Sequence, residues 1–248
     1  MSNTKNKKAI VIIPCRYNST RLKGKPLKLI GDMPMMWHVY QKAKSSNLIS
    51  KVYIATDDKR IEKKCKELKL NCLLTSGAHK TGTDRIAECI NHVHADVIIN
   101  IQGDEPFLDC KIIDDICALL FNNKSIDVVN SYEQIKDKNV ISNANVVKTL
   151  ISKDNFAIAF SRSPIPYKSK IYYRQLGVYG FRKNMLNQFI SFEPGPIEIA
   201  ESIEMYRFLE NDIQIKMILC DSHSISVDTP SDLKAANNLY SSGLYTQL

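Results

Sequence analysis

The chain has 248 residues, 44% of them apolar and 24% charged, an ordinary globular composition that argues against intrinsic disorder, and no apolar run approaches the ~18 residues needed to span a bilayer. The formal net charge of +8 is unevenly placed: residues 1–80 hold 18 Lys and Arg against 5 Asp and Glu, whereas residues 81–248 hold 16 against 21. An anionic partner for the N-terminal third is therefore expected, whether nucleic acid, membrane surface or phosphorylated small molecule.

The opening Met1-Ser2-Asn3-Thr4-Lys5, with only a short apolar stretch behind it, predicts no secretory leader and no membrane insertion. Seven scattered cysteines, none two residues from the next, argue against structural zinc and a disulfide framework and fit a reducing, cytoplasmic setting.

In chain order, Ala9-Ile10-Val11-Ile12-Ile13 is a continuous β-branched run, the pattern of a strand buried on both faces, and it stops at Pro14. Residues 16–34, rich in Arg, Lys, Gly and Pro, are predicted to form an irregular loop at the carboxyl end of that strand, where open α/β sheets bind ligands. A helix over about 36–45, a strand at 52–55, a charged helix at 59–68 and a short strand at 72–75 follow. This alternation predicts a largely parallel, doubly wound α/β sheet.

A helix starts near Thr83, where Thr-Asp-Arg-Ile-Ala-Glu offers N-cap chemistry. The strand at 97–101 ends in Gln102-Gly103-Asp104-Glu105-Pro106, which puts two carboxylates just past a strand end. A helix at 112–121 and strands at 128–131, 146–151 and 157–160 come next. Residues 163–174, with Pro164, Pro166 and several tyrosines, read as an irregular excursion. A strand at 175–181, a helix at 198–210, a strand at 215–219 and a helix after Pro230 complete the chain. With no internal repeat and no low-complexity linker, one domain over 1–248 is expected.

Arg16, Arg21, Lys23, Lys25 and Lys28 fall within thirteen residues of one another. Such cations beside a strand end can surround a triphosphate, Arg through its planar fork and Lys as a point charge, and Gly24 permits a positive-φ turn; a solvated basic loop is the alternative. It is not a P-loop, because Lys25 is followed by Pro26, and the three spaced glycines of a dinucleotide site are absent.

These residues resemble a known family. Pro14, Arg16, Tyr17, Ser19, Thr20, Arg21, Leu22, Gly24, Lys25, Pro26 and Leu27 look like the nucleotide-binding signature of the sugar cytidylyltransferases, most closely the 3-deoxy-D-manno-octulosonate (Kdo) cytidylyltransferase family. The likeness continues through Ala55-Thr56-Asp57-Asp58, Gly82-Thr83-Asp84-Arg85, Gln102-Gly103-Asp104-Glu105-Pro106, Phe160-Ser161-Arg162-Ser163-Pro164-Ile165-Pro166, Leu176-Gly177-Val178-Tyr179 and Val227-Asp228-Thr229-Pro230, in order along nearly the whole chain.

The resemblance implies a Rossmann-like, three-layer nucleotidyltransferase fold with a mostly parallel mixed sheet. It implies transfer of the cytidylyl group of CTP to an ulosonic acid, most closely Kdo, with release of diphosphate, for bacterial lipopolysaccharide or capsule. It also implies Mg²⁺ as cofactor and a homodimer, for which the excursion near 161–175 is the place to look. Carried over by position, Asp104 and Asp228 are metal ligands, although Asp228 ahead of Thr229-Pro230 has the alternative role of a helix cap. Arg16, Arg21 and Lys25 take the triphosphate, and Arg21, Lys25 and Asp104 carry the catalysis. Ser76, Gly82, Thr83 and Arg85 surround the nucleoside. Gln102, Arg162, Gln175, Tyr179 and Glu204 line the sugar pocket.

Three positions depart from the pattern. Lys23 replaces a usual Pro, Gln175 stands where the Kdo enzymes usually carry His, and Met205 stands where a Gln usually follows the Glu204 position. The last two fall at sugar contacts and leave a different ulosonic acid open as the substrate. Two other readings compete, a nucleic-acid-binding protein using the basic third and a silent relative that only binds nucleotide. The first lacks any helix-turn-helix, finger or RNA-binding aromatic signature, so no nucleic acid is expected as a partner; the second is opposed by the joint retention of Arg16, Arg21, Lys25, Asp104 and Asp228.

Overall fold

A computed structural model describes residues 8–221 and 225–243; the opening residues read above as carrying no leader lie outside them. Strand β1 (Ala9–Pro14) is buried along its whole length. After it come a short 3-10 turn at Lys25–Leu27 and a two-residue hairpin of β2 (Leu29–Ile30) and β3 (Met33–Pro34), so the expected irregular loop is ordered in its second half. Helix α1 (Met35–Lys44), β4 (Ile49–Thr56), α2 (Lys59–Glu67), β5 (Cys72–Leu74), α3 (Gly82–Cys89), β6 (Val97–Ile101) and α4 (Cys110–Asn122) supply the alternation. The second half contains β7 (Val128–Gln134), β8 (Lys148–Ile151), β9 (Ala157–Ser161), β10 (Tyr173–Arg182), α5 (Lys183–Ser191), α6 (Pro196–Glu201), α7 (Tyr206–Leu209), β11 (Ile215–Leu219) and α8 (Pro230–Ser241).

The main sheet runs β11-β7-β10-β6-β1-β4-β5, with β8 and β9 branching from β10. Strands β6, β1, β4 and β5 are parallel to one another, as are β7 and β11, while β10 runs antiparallel between β6 and β7. Alternation along β1 separates two cores. Ala9, Val11 and Ile13 meet α1, α2 and α4 on one face, and Ile10 and Ile12 meet α3, α5 and α7 on the other. Helices on both faces make three layers, and each fully buried Val or Ile contributes about 1.5–3 kcal/mol.

From β1 the chain moves outward to β4 and β5, then returns to β6 on β1's other side. The loops leaving β1 and β6 thereby face each other at a topological switch point.

Helix α4 lies directly on β10. A Cβ at Gly180 would stand 2.2 Å from Cγ2 of Ile116 and 2.9 Å from Cδ1 of Leu120. Gly180→Ala is expected to cost about 1–3 kcal/mol by overpacking, read as a lower urea midpoint at unchanged slope. An unchanged midpoint would mean that α4 does not seat there.

The helix expected over 198–210 is two short ones. Ser202 adopts the left-handed region at φ 53° and ends α6, and the guanidinium of Arg162 takes the carbonyls of Glu201 (2.6 Å) and Ser202 (3.1 Å) that a continuous helix would have used internally. Helix α5 was not expected: Arg182 precedes it without a side-chain cap, so no start signal marks it, although Met185, Leu186 and Phe189 bury the face one would predict. Among the described residues no helix is long and apolar enough to cross a membrane.

Candidate active site

The loop after β1 is folded back on itself. The carbonyl of Tyr17 accepts from the N–H of Ser19 (3.0 Å) and of Gly24 (2.8 Å). Gly24 takes φ 67°, and a Cβ there would approach the Tyr17 ring to 3.1 Å, so the turn is closed by a residue that has neither strain nor side chain. The 3-10 turn begins at the next residue with Pro26 pre-set in its first turn, which aims Lys25 at the end of β6.

There Lys25 Nζ donates to Asp104 Oδ2 at 2.7 Å and to Asp228 Oδ1 at 2.9 Å, and Arg21 Nη2 pairs with Asp228 Oδ2 at 3.1 Å. Burial alone would lower the pKa of Lys25, but the charges and hydrogen bonds of the two carboxylates outweigh it and the net shift is upward. Asp228 is not the cap of α8. Thr229 is, in a reciprocal capping box with Asp232, which leaves the Asp228 carboxylate to the cluster.

A small apolar cluster of Leu22, Ile30, Met35, Phe107, Val227 and Ala236 lies beneath. It fixes the backbone next to Arg21, close behind Asp104 and beside Asp228. The two carboxylates converge on one cation and so could equally face a divalent ion, since Mg²⁺ takes one or two carboxylates and completes its octahedron with phosphate oxygens and waters. Among the described residues no group of three His, Cys, Asp or Glu is assembled as a fuller ligand set.

Arg21, Lys25 and Asp104 stand in a cleft of about 830 Å³ whose walls also include Arg16, Gly82, Gln102, Arg162, Gln175, Tyr179 and Glu204, while Asp228 lines the adjoining cavity. Arg16 Nη1 donates to the carbonyl of Lys80 at 2.6 Å, while its buried Nη2 has no partner among the described residues. A buried guanidinium nitrogen left this way calls for an acceptor from a ligand. Thr83 and Arg85 lie buried behind this wall, and Ser76 is exposed and not part of it. Arg85 is 1% exposed and pairs with Asp57 at 3.0 Å, and Thr83 is fully buried. The wall itself is Lys80, Thr81 and Gly82, at the N-terminus of α3, which Thr81 caps.

Next to this wall, Glu204 accepts from the N–H of Thr83 at 3.1 Å and lies 3.5 Å from Gln102 Nε2. Burial pushes its carboxyl pKa up. Tyr179 is nearly buried, and burial raises its phenol well above the usual value. Arg162, besides the two carbonyls named above, donates to the carbonyl of Ala144 at 2.9 Å, so its guanidinium both lines the cleft and anchors the loop before β8. A second cavity of about 730 Å³ lies beyond Asp104, Gln175 and Tyr179, which line both. Met205 is fully buried in the core against α3 and α5 and is not on either wall, so the expectation that its substitution alters a direct sugar contact is not met in this structure.

The sequence reading passed over Arg207. It is 4% exposed, donates through Nε to Glu198 Oε2 at 2.9 Å and pairs through Nη1 with Asp84 Oδ1 at 2.8 Å, tying α6 and α7 to the first turn of α3. The available signal was a cation three residues after Glu204 on an otherwise apolar stretch. Removing one partner of a buried ion network leaves charge uncompensated, so Arg207→Ala is expected to cost about 3–5 kcal/mol, measured by urea unfolding. A loss under about 1 kcal/mol would place the network in solvent-like surroundings.

Against this geometry, comparison with known proteins is direct. The model of the family described as Cytidylyltransferase matches residues 10–216. A 3-deoxy-manno-octulosonate cytidylyltransferase of Thermodesulfovibrio yellowstonii is 37% identical, the match covering 94% of this chain and 99% of that one. The protein of the same name from Fusobacterium nucleatum is 39% identical over 93% and 96%. Among solved structures, a CMP:2-keto-3-deoxy-manno-octonic acid synthetase complexed with CTP superposes with a TM-score of 0.89 at 31% identity, over 96% of this chain and all of that one. Sequence, fold and the order of the motifs along the chain agree: the chain is a nucleotidyltransferase and belongs to the cytidylyltransferase family.

Proposed function

We propose that the chain joins CTP to 3-deoxy-manno-octulosonate, giving the CMP-sugar and diphosphate. The observation that carries this reading is the convergence of Arg21, Lys25, Asp104 and Asp228 beside a cleft whose remaining lining includes the charged Arg16, Arg162, Glu198, Glu204 and Arg207 and the polar Gln102 and Gln175. Relatives and the superposing structure carry the same activity in their names, and the latter was determined with CTP.

In the reaction the anomeric oxygen of the sugar acid bonds to the α-phosphorus of CTP, and the bond from that phosphorus to the bridging oxygen breaks. Both reactants are anionic, so the site must neutralise charge and hold the two in line. Arg16 and Arg21 bind the triphosphate from the loop side, and Lys25 sits where charge grows on the departing diphosphate. Arg162 and Gln102 orient the sugar acid, with Tyr179 beneath it. We propose Mg²⁺ as the cofactor, held by Asp104 and Asp228; it would supply Lewis-acid polarisation and charge neutralisation at the phosphates.

The test is diphosphate release from CTP and Mg²⁺ with Kdo, its 8-amino relative and sialic acid. Release that requires CTP and is fastest with Kdo is expected. Release with none of these acids, or tight salt-sensitive polynucleotide binding in its place, would overturn the proposal. A homodimer is proposed with it, supported by the exposed Tyr167 and Ile171 on the excursion after β9 and Ile158 on β9; sedimentation as a monomer at micromolar concentration would remove it.

A further inference from the structure

Asn130 lies on β7 and is completely buried, a position where a polar side chain has to be hydrogen-bonded. All three hydrogen-bonding atoms of its amide have one assignment. Nδ2 donates to the carbonyl of Leu176 at 3.0 Å and to that of Val178 at 2.9 Å. Carbonyls only accept, so both hydrogens of Asn130 are committed and its Oδ1 must face the remaining neighbour, Gln175 Nε2 at 2.8 Å. The orientation of one amide therefore dictates that of the next. Gln175 is held with its nitrogen inward, and its Oε1 accepts from none of the described residues.

The backbone explains why Asn130 is needed. The β10–β7 ladder shifts register between Gln175 and Tyr179: Gln175 pairs with Tyr132, and Tyr179 with Asn130. Three residues of β10, Leu176, Gly177 and Val178, thus oppose the single Ser131 of β7, and the carbonyls of Leu176 and Val178 inside this bulge are taken by the Asn130 side chain in place of ladder partners. The bulge brings Gly177 against the loop after β6, where its carbonyl accepts from the N–H of Gln102 at 2.8 Å and a Cβ would meet Gln102 at 2.9 Å. It also turns Gln175 to the boundary of the two cavities, beside Asp104 and Tyr179.

We infer that Asn130 is a positioning residue that fixes Gln175 as an acceptor aimed into the cleft, so that this wall selects a sugar acid bearing a hydrogen-bond donor, a hydroxyl or amine, at the carbon facing Gln175. This rests on the cytidylyltransferase reading above. Oε1 cannot favour an ether or carbonyl oxygen at that carbon, because two acceptors would then oppose each other.

The experiment measures kcat/KM for Kdo and for its 5-, 7- and 8-deoxy analogues in wild type, Gln175→Met, Asn130→Asp and Asn130→Leu. Met keeps the length and removes the acceptor; Asp keeps the shape and removes both donors to the bulge. For Gln175→Met we expect a 10- to 100-fold fall with Kdo, carried by KM for the sugar, and an unchanged KM for CTP. One deoxy analogue should show the same deficit in wild type and no further loss in Gln175→Met, which identifies the carbon that is read. Asn130→Asp keeps an oxygen that accepts from Gln175 Nε2 and should leave the sugar-side KM within threefold of wild type, whereas Asn130→Leu offers no acceptor and should reproduce the sugar-side defect without touching KM for CTP; a wild-type sugar KM in folded Asn130→Leu overturns the positioning role. A loss of less than threefold in Gln175→Met, or an equal loss for every analogue, overturns the inference while leaving the transferase reading intact. Absence of turnover by wild type with any ulosonic acid overturns both.

Discussion

Replacing Lys25 with Met is expected to lower kcat by about 10²–10³-fold or more, the magnitude typical of removing one preorganised donor from developing charge. The fold should survive. Lys25 sits on a short turn held by the Tyr17 carbonyl and Gly24, and neither contact involves its side chain. Among the described residues its ammonium alone touches both Asp104 and Asp228, at the place where we propose that diphosphate leaves.

Its protonation is not a variable in the working range. Because the two carboxylates outweigh burial, the folded-state pKa lies above the ordinary 10.5. The stability this pair of contacts contributes is fully present below the unfolded-state value and is lost only as pH rises through the folded one. Wild-type rates should therefore show no limb from Lys25 between neutrality and mild alkali. Diphosphate release measured for Lys25→Met and Lys25→Arg separates charge from geometry: Arg restores part of the rate if charge is what matters. Retention of most of the activity by Lys25→Met would remove the residue from the chemistry.

How much of this was legible in the sequence depended on how local the cause was. Strand β1 could be read because it is a continuous apolar run and β6 because its β-branched run is broken only at Asn100, and the turn at Gly24 because only glycine takes φ 67° freely beside a tyrosine ring. The capping of α8 was half legible. Asp228 and Thr229 are both good caps, and only the structure shows Thr229 in the box with Asp232 and Asp228 turned to Lys25. The break at Ser202 was not legible, since it depends on a guanidinium forty residues away taking helix carbonyls. Nor was the bulge in β10, whose carbonyls are satisfied by a side chain from another strand.

Met205 shows the opposite failure. A substitution judged by sequence position alone looked like a lost sugar contact, but the residue faces the core. Resemblance assigned residues to the site; which way each one points was decided by packing.

Asp104→Asn is the second variant with a large expected effect, about 10³-fold in kcat. Asn is isosteric, so what changes is charge. Asp104 lies in the loop after β6, and its own carbonyl accepts from the N–H of Val227 at 2.9 Å, a backbone bond the substitution leaves in place. With side-chain exposures of 16% and 21% the Lys25–Asp104 pair is partly solvated, so the stability change should stay within about 1 kcal/mol.

Asp228→Asn makes an informative contrast. Asp228 is shared between Lys25 and Arg21, so its loss also frees Arg21 for the triphosphate, and KM for CTP should rise less than kcat falls. If Asp104 and Asp228 hold Mg²⁺ as proposed, removing either carboxylate raises the Mg²⁺ concentration needed for half-maximal rate, and more steeply for Asp104, which shares its charge with one cation and not two. Rates and urea midpoints measured on the same preparations keep the two effects apart. Near-normal turnover in Asp104→Asn at unchanged Mg²⁺ dependence would overturn the proposed metal site at the end of β6.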